Sequence, residues 1–484
     1  MNTTFLDFET SGLNRFFDQP LSFYAKTIDK NGKEIDSIDL SCSLESFRLP
    51  SPEALLVNNI PLDTLHKNES LHKMMHKVYG YIKKQSPQLI VGHNLFFDYS
   101  FSHNQNFQNL ICDDLYHWRL GGNILIDTLQ IARSIKAFDE DCGFNIPLDE
   151  DNNPVFNQVR LCEVNNISIN SAHTAQGDVV SLEKLYECMK KKSPFIFDLA
   201  RRNSVKKNAL EIIYNYPFVL SNTGVGREFT TKILTFVALN PSGTEAILAD
   251  VTSNKNYLES LSPLEITSFL GNEQAKNFPL VRIPISKGKI FLPSDSFDNY
   301  RKLTGLSGNE LFRRASEIRR NKHLAESCFE ALIWRQNGLE EESDNFVENT
   351  IYDCFLTHNE KNFIKSFNLS PPNDRWELIK MYENKLEQDR LIKLSKRVML
   401  EVFPDNVPQK LRAKYASWIN QRLYLTPKNL EFKWNTLNSC LECIQSLLVK
   451  YPLQNQKIKE IESFYRRLGR GVGLDIKESD WNGL

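Results

Sequence analysis

The run TTFLDFE at residues 3 to 9 sets two carboxylates two positions apart inside an otherwise apolar segment. In an extended strand, side chains at i and i+2 share a face, so Asp7 and Glu9 stand together while Leu6 and Phe8 point the other way. Like charges this close repel, and each resists ionising unless something positive intervenes. A divalent cation with oxygen ligands, Mg²⁺ or Mn²⁺, meets that need. For an isolated D-x-E pair, the ordinary alternative is a solvated pair on an edge strand.

The surrounding pattern is that of a sheet covered by helices. Strands are expected at TTFLDFE, PLSFYAKTI and IDSIDLSCS, then helical periodicity over 52 to 85, a short apolar run QLIVGHN, helices near 94 to 107 and 127 to 137, and a last helix from about 173. Three successive strands followed by helices alternating with another strand predict a mixed-sheet α/β domain ending near Lys192. The middle of the chain alternates apolar and polar residues in YPFVLSN, TKILTFVALNPSGTEAILADV and FPLVRIPISKGKIFLPSD, with a hairpin turn expected at Asn-Pro-Ser-Gly, 240 to 243. LEEESDNFVENT, 339 to 350, reads as an acidic linker. From about 351 the pattern is helical with basic faces.

A chain of 484 residues is long enough for two to four domains, and its composition is ordinary for a globular protein. Its start lacks the regions of a signal peptide, and no run approaches the length of a membrane span, so a cytoplasmic protein is expected. Nine scattered cysteines fit reduced thiols, and the single CxxC, Cys440 to Cys443, lies in a helix-like run with no second pair, as structural cysteines do. The formal net charge of −1 hides a polarity. Residues 1 to 190 hold 16 Lys/Arg against 25 Asp/Glu, whereas residues 351 to 484 hold 22 against 16. Such asymmetry lets a near-neutral protein hold a polyanion beside an acidic site, although solvated helix faces explain part of it.

Further acids extend the first pair. Asp98 in GHNLFFD follows a strand signal, and Asp178 follows His173 by five positions in AHTAQGDVV. Asp127 in ILIDTLQ, with Gln130 three residues on, has the pattern of a helix N-cap, and the acids at 139 to 141 and 149 to 151 that of a solvated loop. In their order, Asp7, Glu9, Asp98, His173 and Asp178 resemble the motif set of the DEDD exonucleases, in the subclass whose fifth residue is His. The resemblance implies two-metal phosphodiester hydrolysis, in which ions roughly 4 Å apart stabilise the attacking and leaving oxygens. It implies that Asp7, Glu9 and Asp178 hold one Mg²⁺, that Asp7 and Asp98 position a second, and that His173 is the general base.

The likeness extends past the first domain. LPSPEALLVNNIPLDTL, FNQVRLCEV, SPFIFDLARRNSVKK, NTIYDCF and RLIKLSKRVMLEVFPD resemble segments of the bacterial exodeoxyribonuclease I family. The fold so implied is an α/β ribonuclease H-like nuclease domain with a mixed sheet over 1 to 192. An SH3-like β-rich domain would follow over 193 to 345, and an all-helical C-terminal domain over 346 to 484. The implied function is a monomeric, processive, nucleoid-associated 3′→5′ exonuclease acting on single-stranded DNA in repair and recombination, releasing 5′-mononucleotides. Glu9 and Arg160 would meet the substrate near its 3′ end, Arg160 otherwise being an exposed helix residue. Tyr116 and Trp118 are candidates for stacking on bases, with core packing as the rival for each. His103 stands where the family pattern leads one to expect an arginine in the substrate channel, and the loop before His173 is shorter than usual. The family also docks the acidic C-terminal tail of the single-stranded DNA-binding protein, for which residues 200 to 207 and 313 to 320 offer Arg and Lys. An exoribonuclease, a proofreading exonuclease and an inactive nucleic-acid-binding scaffold are the alternative readings.

Overall fold

The computed structural model describes residues 1–58, 60–169, 174–224, 229–270, 278–285, 287–297, 300–341, 346–425 and 432–470. Strands β1 (Asn2–Thr10), β2 (Pro20–Ile28) and β3 (Glu34–Ser41) form an antiparallel meander, followed by helices α1 (Pro52–Val57) and α2 (Leu71–Gln85). Strand β4 (Gln88–Gly92) leads into α3 (Leu95–Gln108), and β5 (Ile124–Asp127) into α4 (Thr128–Phe138); α5 (Gln158–Val164) and α6 (Ala175–Lys192) follow. The sheet order is β3-β2-β1-β4-β5, with β1, β4 and β5 parallel, so it is mixed as expected.

Both faces of this sheet are covered. Leu6 and Phe8 pack with Met74, Met75, Val78 and Leu95 on the α2–α3 side. Phe5 joins Val179, Leu182 and Leu185 on the α6 side, its ring 5.2 Å from that of Tyr186. The face that carries Asp7 and Glu9 is therefore itself helix-covered, so the pair does not sit in solvent on an edge strand. Helix α3 starts at a sharp turn. A side chain on Gly92 would press on Leu95, and Asn94 adopts left-handed backbone angles with φ 62°.

Helices α7 (Pro194–Asn203) and α8 (Lys206–Asn215) lead to a second sheet, made from β6 (Val219–Thr223), β7 (Thr230–Leu239), β8 (Glu245–Asp250), β9 (Leu280–Pro284) and β10 (Leu292–Pro293). Its order is β10-β6-β7-β8-β9, antiparallel throughout. The hairpin expected at 240 to 243 forms, closed by Asn240 N to Glu245 O at 2.9 Å and Gly243 N to Asn240 O at 2.9 Å. Helices α9 (Lys255–Ser260), α10 (Pro263–Leu270), α11 (Tyr300–Thr304), α12 (Gly308–Arg320) and α13 (Lys322–Glu341) accompany this sheet.

The remainder is helical: α14 (His358–Leu369), α15 (Pro372–Tyr382), α16 (Arg390–Val402), α17 (Gln409–Tyr424), α18 (Leu437–Lys450) and α19 (Asn455–Arg470). It shares cores with the first sheet's surroundings. Phe47, Phe107 and Leu110 pack with Phe363, Phe367 and Leu391, while Phe17, Leu49 and Leu55 pack with Trp434, Ile461 and Tyr465. Among the described residues, no helix is long and apolar enough to cross a membrane. The cysteines of the CxxC are free, and burial pushes Cys440 up to about 12, so it is an inert thiol packed in the core.

Phe107 is 1 % exposed and lies where α3 meets the helical region. Phe107→Ala is expected to cost about 3–5 kcal/mol of folding free energy, read as a lower urea midpoint.

Candidate active site

The parallel strands end at one edge, and the functional side chains gather there, as ligands do at the carboxyl ends of strands in open α/β sheets. Asp7, Glu9 and Asp178 each bring one carboxylate oxygen to within 4.8 Å of the others. Asp178 lies in the first turn of α6, where the helix dipole favours a negative charge, and Thr174 caps that turn by accepting from Gly177 N at 3.1 Å. Helix α5 steadies it: Gln158 Nε2 donates to Asp178 O at 2.8 Å and to Ser181 Oγ at 2.9 Å.

Asp98 arrives from beneath. Pairing of β1 with β4 ends at Phe5 and Val91, and farther along β1 the Phe8 N–H donates to Asp98 Oδ1 at 3.0 Å. The turn that aims α3 is held by Asp127, whose Oδ1 accepts from Asn94 N at 2.9 Å and from Leu129 N at 3.0 Å. Asp127 is thus the N-cap its sequence pattern indicated, but the amide it takes in α4 is that of Leu129, not of Gln130. Its bond to Asn94 links two helix starts and has no counterpart in a local pattern.

The electrostatics of this edge follow from burial and crowding. Burial, then Asp98, Glu9 and Asp178, pushes Asp7 well above the usual carboxylate range. Burial and then Asp178 push Glu9 up to about 7, and burial pushes Asp98 up to about 8 against the pull of the Phe8 amide. Three carboxyl groups in this state, with the Asp178 carboxylate beside them, call for a cation, and an all-oxygen donor set suits a hard divalent ion. A cleft of about 570 Å³ opens beside Glu9, lined among others by Ser22, Asp39, Ser41, Asn68 and Thr174.

Comparison with known proteins gives this edge its context. Residues 4–186 match the exonuclease family's profile. Exodeoxyribonuclease I of Buchnera aphidicola subsp. Baizongia pistaciae is 22 % identical over 470 residues, covering 95 % of this chain and 94 % of that protein. The chain is similar to exodeoxyribonuclease I along nearly its whole length. Among solved structures, E. coli exonuclease I in complex with a dT13 oligonucleotide superposes with a TM-score of 0.83 at 18 % identity, covering 97 % of this chain and 100 % of that one. An SSB/exonuclease I structure with a bound inhibitor superposes with a TM-score of 0.81 at 18 % identity, covering 97 % and 99 %.

The remaining candidates from the sequence divide by burial. His173 lies outside the described residues. Arg160 is on α5, its side chain exposed and its Nη1 2.9 Å from Glu163 Oε2. Tyr116 is 43 % exposed, its ring 4.9 Å from that of His103. Two candidates are corrected. Trp118 is 1 % exposed in the core beside Met74 and Leu95, so packing claims it and no base can reach it. His103 is 3 % exposed with Nδ1 on Leu115 O at 2.9 Å, and burial lowers its pKa, so it supports Tyr116 from below as a neutral ring and offers the substrate no charge. The acids at 140, 141 and 149 to 151 are exposed, as a solvated loop requires.

Several residues around this edge have no signature in the sequence. His93 donates through Nε2 to Phe156 O at 2.8 Å, with Nδ1 3.0 Å from Thr128 Oγ1, and burial pushes it down to about 4, so it is a neutral strut beside Asn94. A cationic and aromatic surface joins all three parts of the chain. Arg15 lies over Phe16 at 4.8 Å and over Tyr352 at 5.5 Å, and Arg119 over Tyr99 at 4.9 Å. Lys287, between β9 and β10, has its pKa lowered by partial burial and then by the charges of Arg15, Arg282 and Arg119. The signal available in sequence is the basic character of these stretches, which does not say that they converge.

The carboxyl pKa values dictate a pH dependence for the metal-free protein. Glu9 and Asp98 hold their protons to about 7 and about 8 when folded, against ordinary values of 4.5 and 3.8. The folded state therefore binds more protons than the unfolded state in that window, and stability falls as pH rises through it. In EDTA, Tm is expected to decrease from about pH 5 to about pH 8, and Asp98→Asn is expected to flatten that slope. A Tm that rises over the same range would contradict the assignment.

Proposed function

We propose that the chain is a 3′→5′ exonuclease that releases 5′-mononucleotides from single-stranded DNA, with Mg²⁺ as its metal. The observation that carries this reading is the carboxylate triad Asp7, Glu9 and Asp178, within 4.8 Å on the edge of an α/β sheet, in a chain similar to exodeoxyribonuclease I over nearly its whole length. Asp7, Glu9 and Asp178 would hold one ion, and Asp7 with Asp98 a second. When bound, the ions supply positive charge that stabilises the oxygens exchanged in phosphodiester hydrolysis.

The chain's own groups do the rest. Bonded to the Phe8 amide, Asp98 keeps one orientation, so it adds a carboxylate without conformational search. His173, five positions before Asp178 in sequence, would take the proton of the attacking water. Glu9, at the mouth of the cleft, would accept from the sugar at the 3′ end, and Arg160 would face the phosphate beside it. Arg15, Arg119 and Lys287 would track phosphates farther along the strand, while Tyr116 and Tyr352 offer faces to bases. Cations contributed by the first sheet's loops and by the second sheet, beside an aromatic ring from the helical region, support processive movement of a monomer along one strand.

The two basic stretches considered for the acidic tail of the single-stranded DNA-binding protein differ in availability. Arg313 and Arg314 pair with Glu310, Arg313 also with Glu317, and Arg319 is bound to the carbonyls of Ile213 and Tyr214. Arg201 and Arg202 are exposed at the end of α7, so the stretch at 200 to 207 is the better dock.

The test is to incubate the purified protein and Mg²⁺ with end-labelled single-stranded DNA, duplex DNA and RNA. Mononucleotides are expected from the 3′ end of single-stranded DNA, and none with Asp7→Ala. Faster loss of RNA than DNA would overturn the substrate, and binding without degradation would overturn the activity. His173→Ala is expected to lower kcat by roughly 10²–10⁴-fold with little change in DNA affinity. Lys287→Ala should reduce the slope of log Kd against log salt by about 0.7, the share of one phosphate contact.

A further inference from the structure

The acidic stretch at 339 to 350 contains a residue that a solvated linker does not explain. Glu348 is 2 % exposed, and its Oε1 receives Arg397 Nη1 at 2.8 Å and Arg422 Nη1 at 2.9 Å. A ring of aromatics closes the surroundings: Arg397 lies over Phe47 at 4.5 Å and Arg422 over Trp434 at 4.3 Å. From this cage a continuous chain of polar contacts leads to the first sheet. Gln108, at the end of α3, donates through Nε2 to Glu348 O at 2.9 Å and to Phe16 O at 3.0 Å. Gln108 Oε1 accepts from Arg48 Nη2 at 2.6 Å, and Arg48 Nη1 donates to Asp18 O. Arg48 Nε is 2.9 Å from Glu45 Oε2.

Phe16 and Asp18 belong to the loop that leaves β1 after Thr10, one residue past Glu9. The loop is folded tightly upon itself: Asp18 Oδ2 accepts from Asn14 N at 2.8 Å, and a side chain on Gly12 would run into the Asp18 carboxylate. A shift of Asp18 is therefore passed to Gly12, Leu13 and Arg15. Leu13 is 86 % exposed and Arg15 belongs to the cationic surface, so this loop joins the strand that carries Asp7 and Glu9 to that surface. The helical region also reaches the loop directly, through Asn14 Nδ2 to Lys433 O at 3.2 Å.

Apolar contacts already hold the helical region against the first sheet, so docking alone does not call for buried charge. A buried ionic network adds little net stability but specifies one geometry, because each member left without its partner is costly. We infer that the Glu348 cage sets the position of loop 11–18 beside the catalytic carboxylates, which makes Gln108 and Arg48 positioning residues for phosphodiester cleavage. The helical region then contributes to the chemical step as well as to holding the strand. This rests on the exonuclease reading above.

Gln108→Leu separates the two contributions, because it cuts the link to Phe16 while leaving Glu348 with Arg397 and Arg422. With a trinucleotide, too short to engage the helical region, kcat is expected to fall about tenfold or more, as misplacement of reacting groups does, with KM within about twofold. Affinity for a long oligonucleotide should fall by no more than the share of one phosphate contact, because of the groups on the loop only Arg15 tracks the strand. A kcat within about twofold of wild type on the trinucleotide, or a defect confined to KM on long strands, would overturn the inference and leave the cage a docking device. If thermal unfolding shows that Gln108→Leu does not fold, Arg48→Lys keeps the charge, loses the two-pronged grip on Gln108 and Asp18, and carries the same expectations. Failure of the wild type to cleave any DNA would instead refute the exonuclease reading, so the two failures are distinct.

Discussion

Pairing of β1 with β4 stops at Phe5, and the N–H of Phe8, farther along the strand, goes to a side chain. Asp98 takes it at 3.0 Å, and that bond brings another carboxylate beneath a strand already carrying Asp7 and Glu9. Much of the surrounding structure serves this meeting of like charges. The turn at Gly92 to Asn94 aims α3, Asp127 ties that turn to the start of α4, and Thr174 and Gln158 fix the first turn of α6 that presents Asp178. Burial makes ionisation of the cluster costly in the absence of a cation, so the same geometry that strains the metal-free protein favours binding of a divalent ion.

The two parts that follow the nuclease sheet are joined to it by more than chain connectivity. Apolar residues of both are continuous with its cores, and the buried charges around Glu348 lie where the helical region meets the loop after Glu9. Burial, and then cations from that loop, from the second sheet and from the 110s, depress the pKa of Lys287. Their mutual repulsion is relieved by a polyanion lying across them. A single strand of nucleic acid, with one charge per nucleotide and bases free to stack, has the right chemistry.

Residues whose role depends on local spacing are legible in the amino-acid sequence. The i, i+2 pair Asp7 and Glu9, the N-cap Asp127 and the hairpin at 240 to 243 take the local form their patterns indicate. Asp178 follows its helix start as expected, and the order of the acids points to nuclease chemistry. Residues whose role depends on distant partners are not legible in this way. Trp118 and Tyr116 are two positions apart, yet one is sealed in the core and the other faces solvent. Glu348 reads as one more charge in an acidic linker, because its arginines lie 49 and 74 residues away.

The sequence by itself determined which groups could perform chemistry, since backbone periodicity and capping act over a few residues and are written in neighbouring letters. Only the tertiary structure decided which polar and aromatic groups face the substrate and which are buried, and how the helical region meets the loop beside Glu9. Burial and charge pairing are properties of surfaces brought together across hundreds of residues, and no local pattern records which surfaces meet.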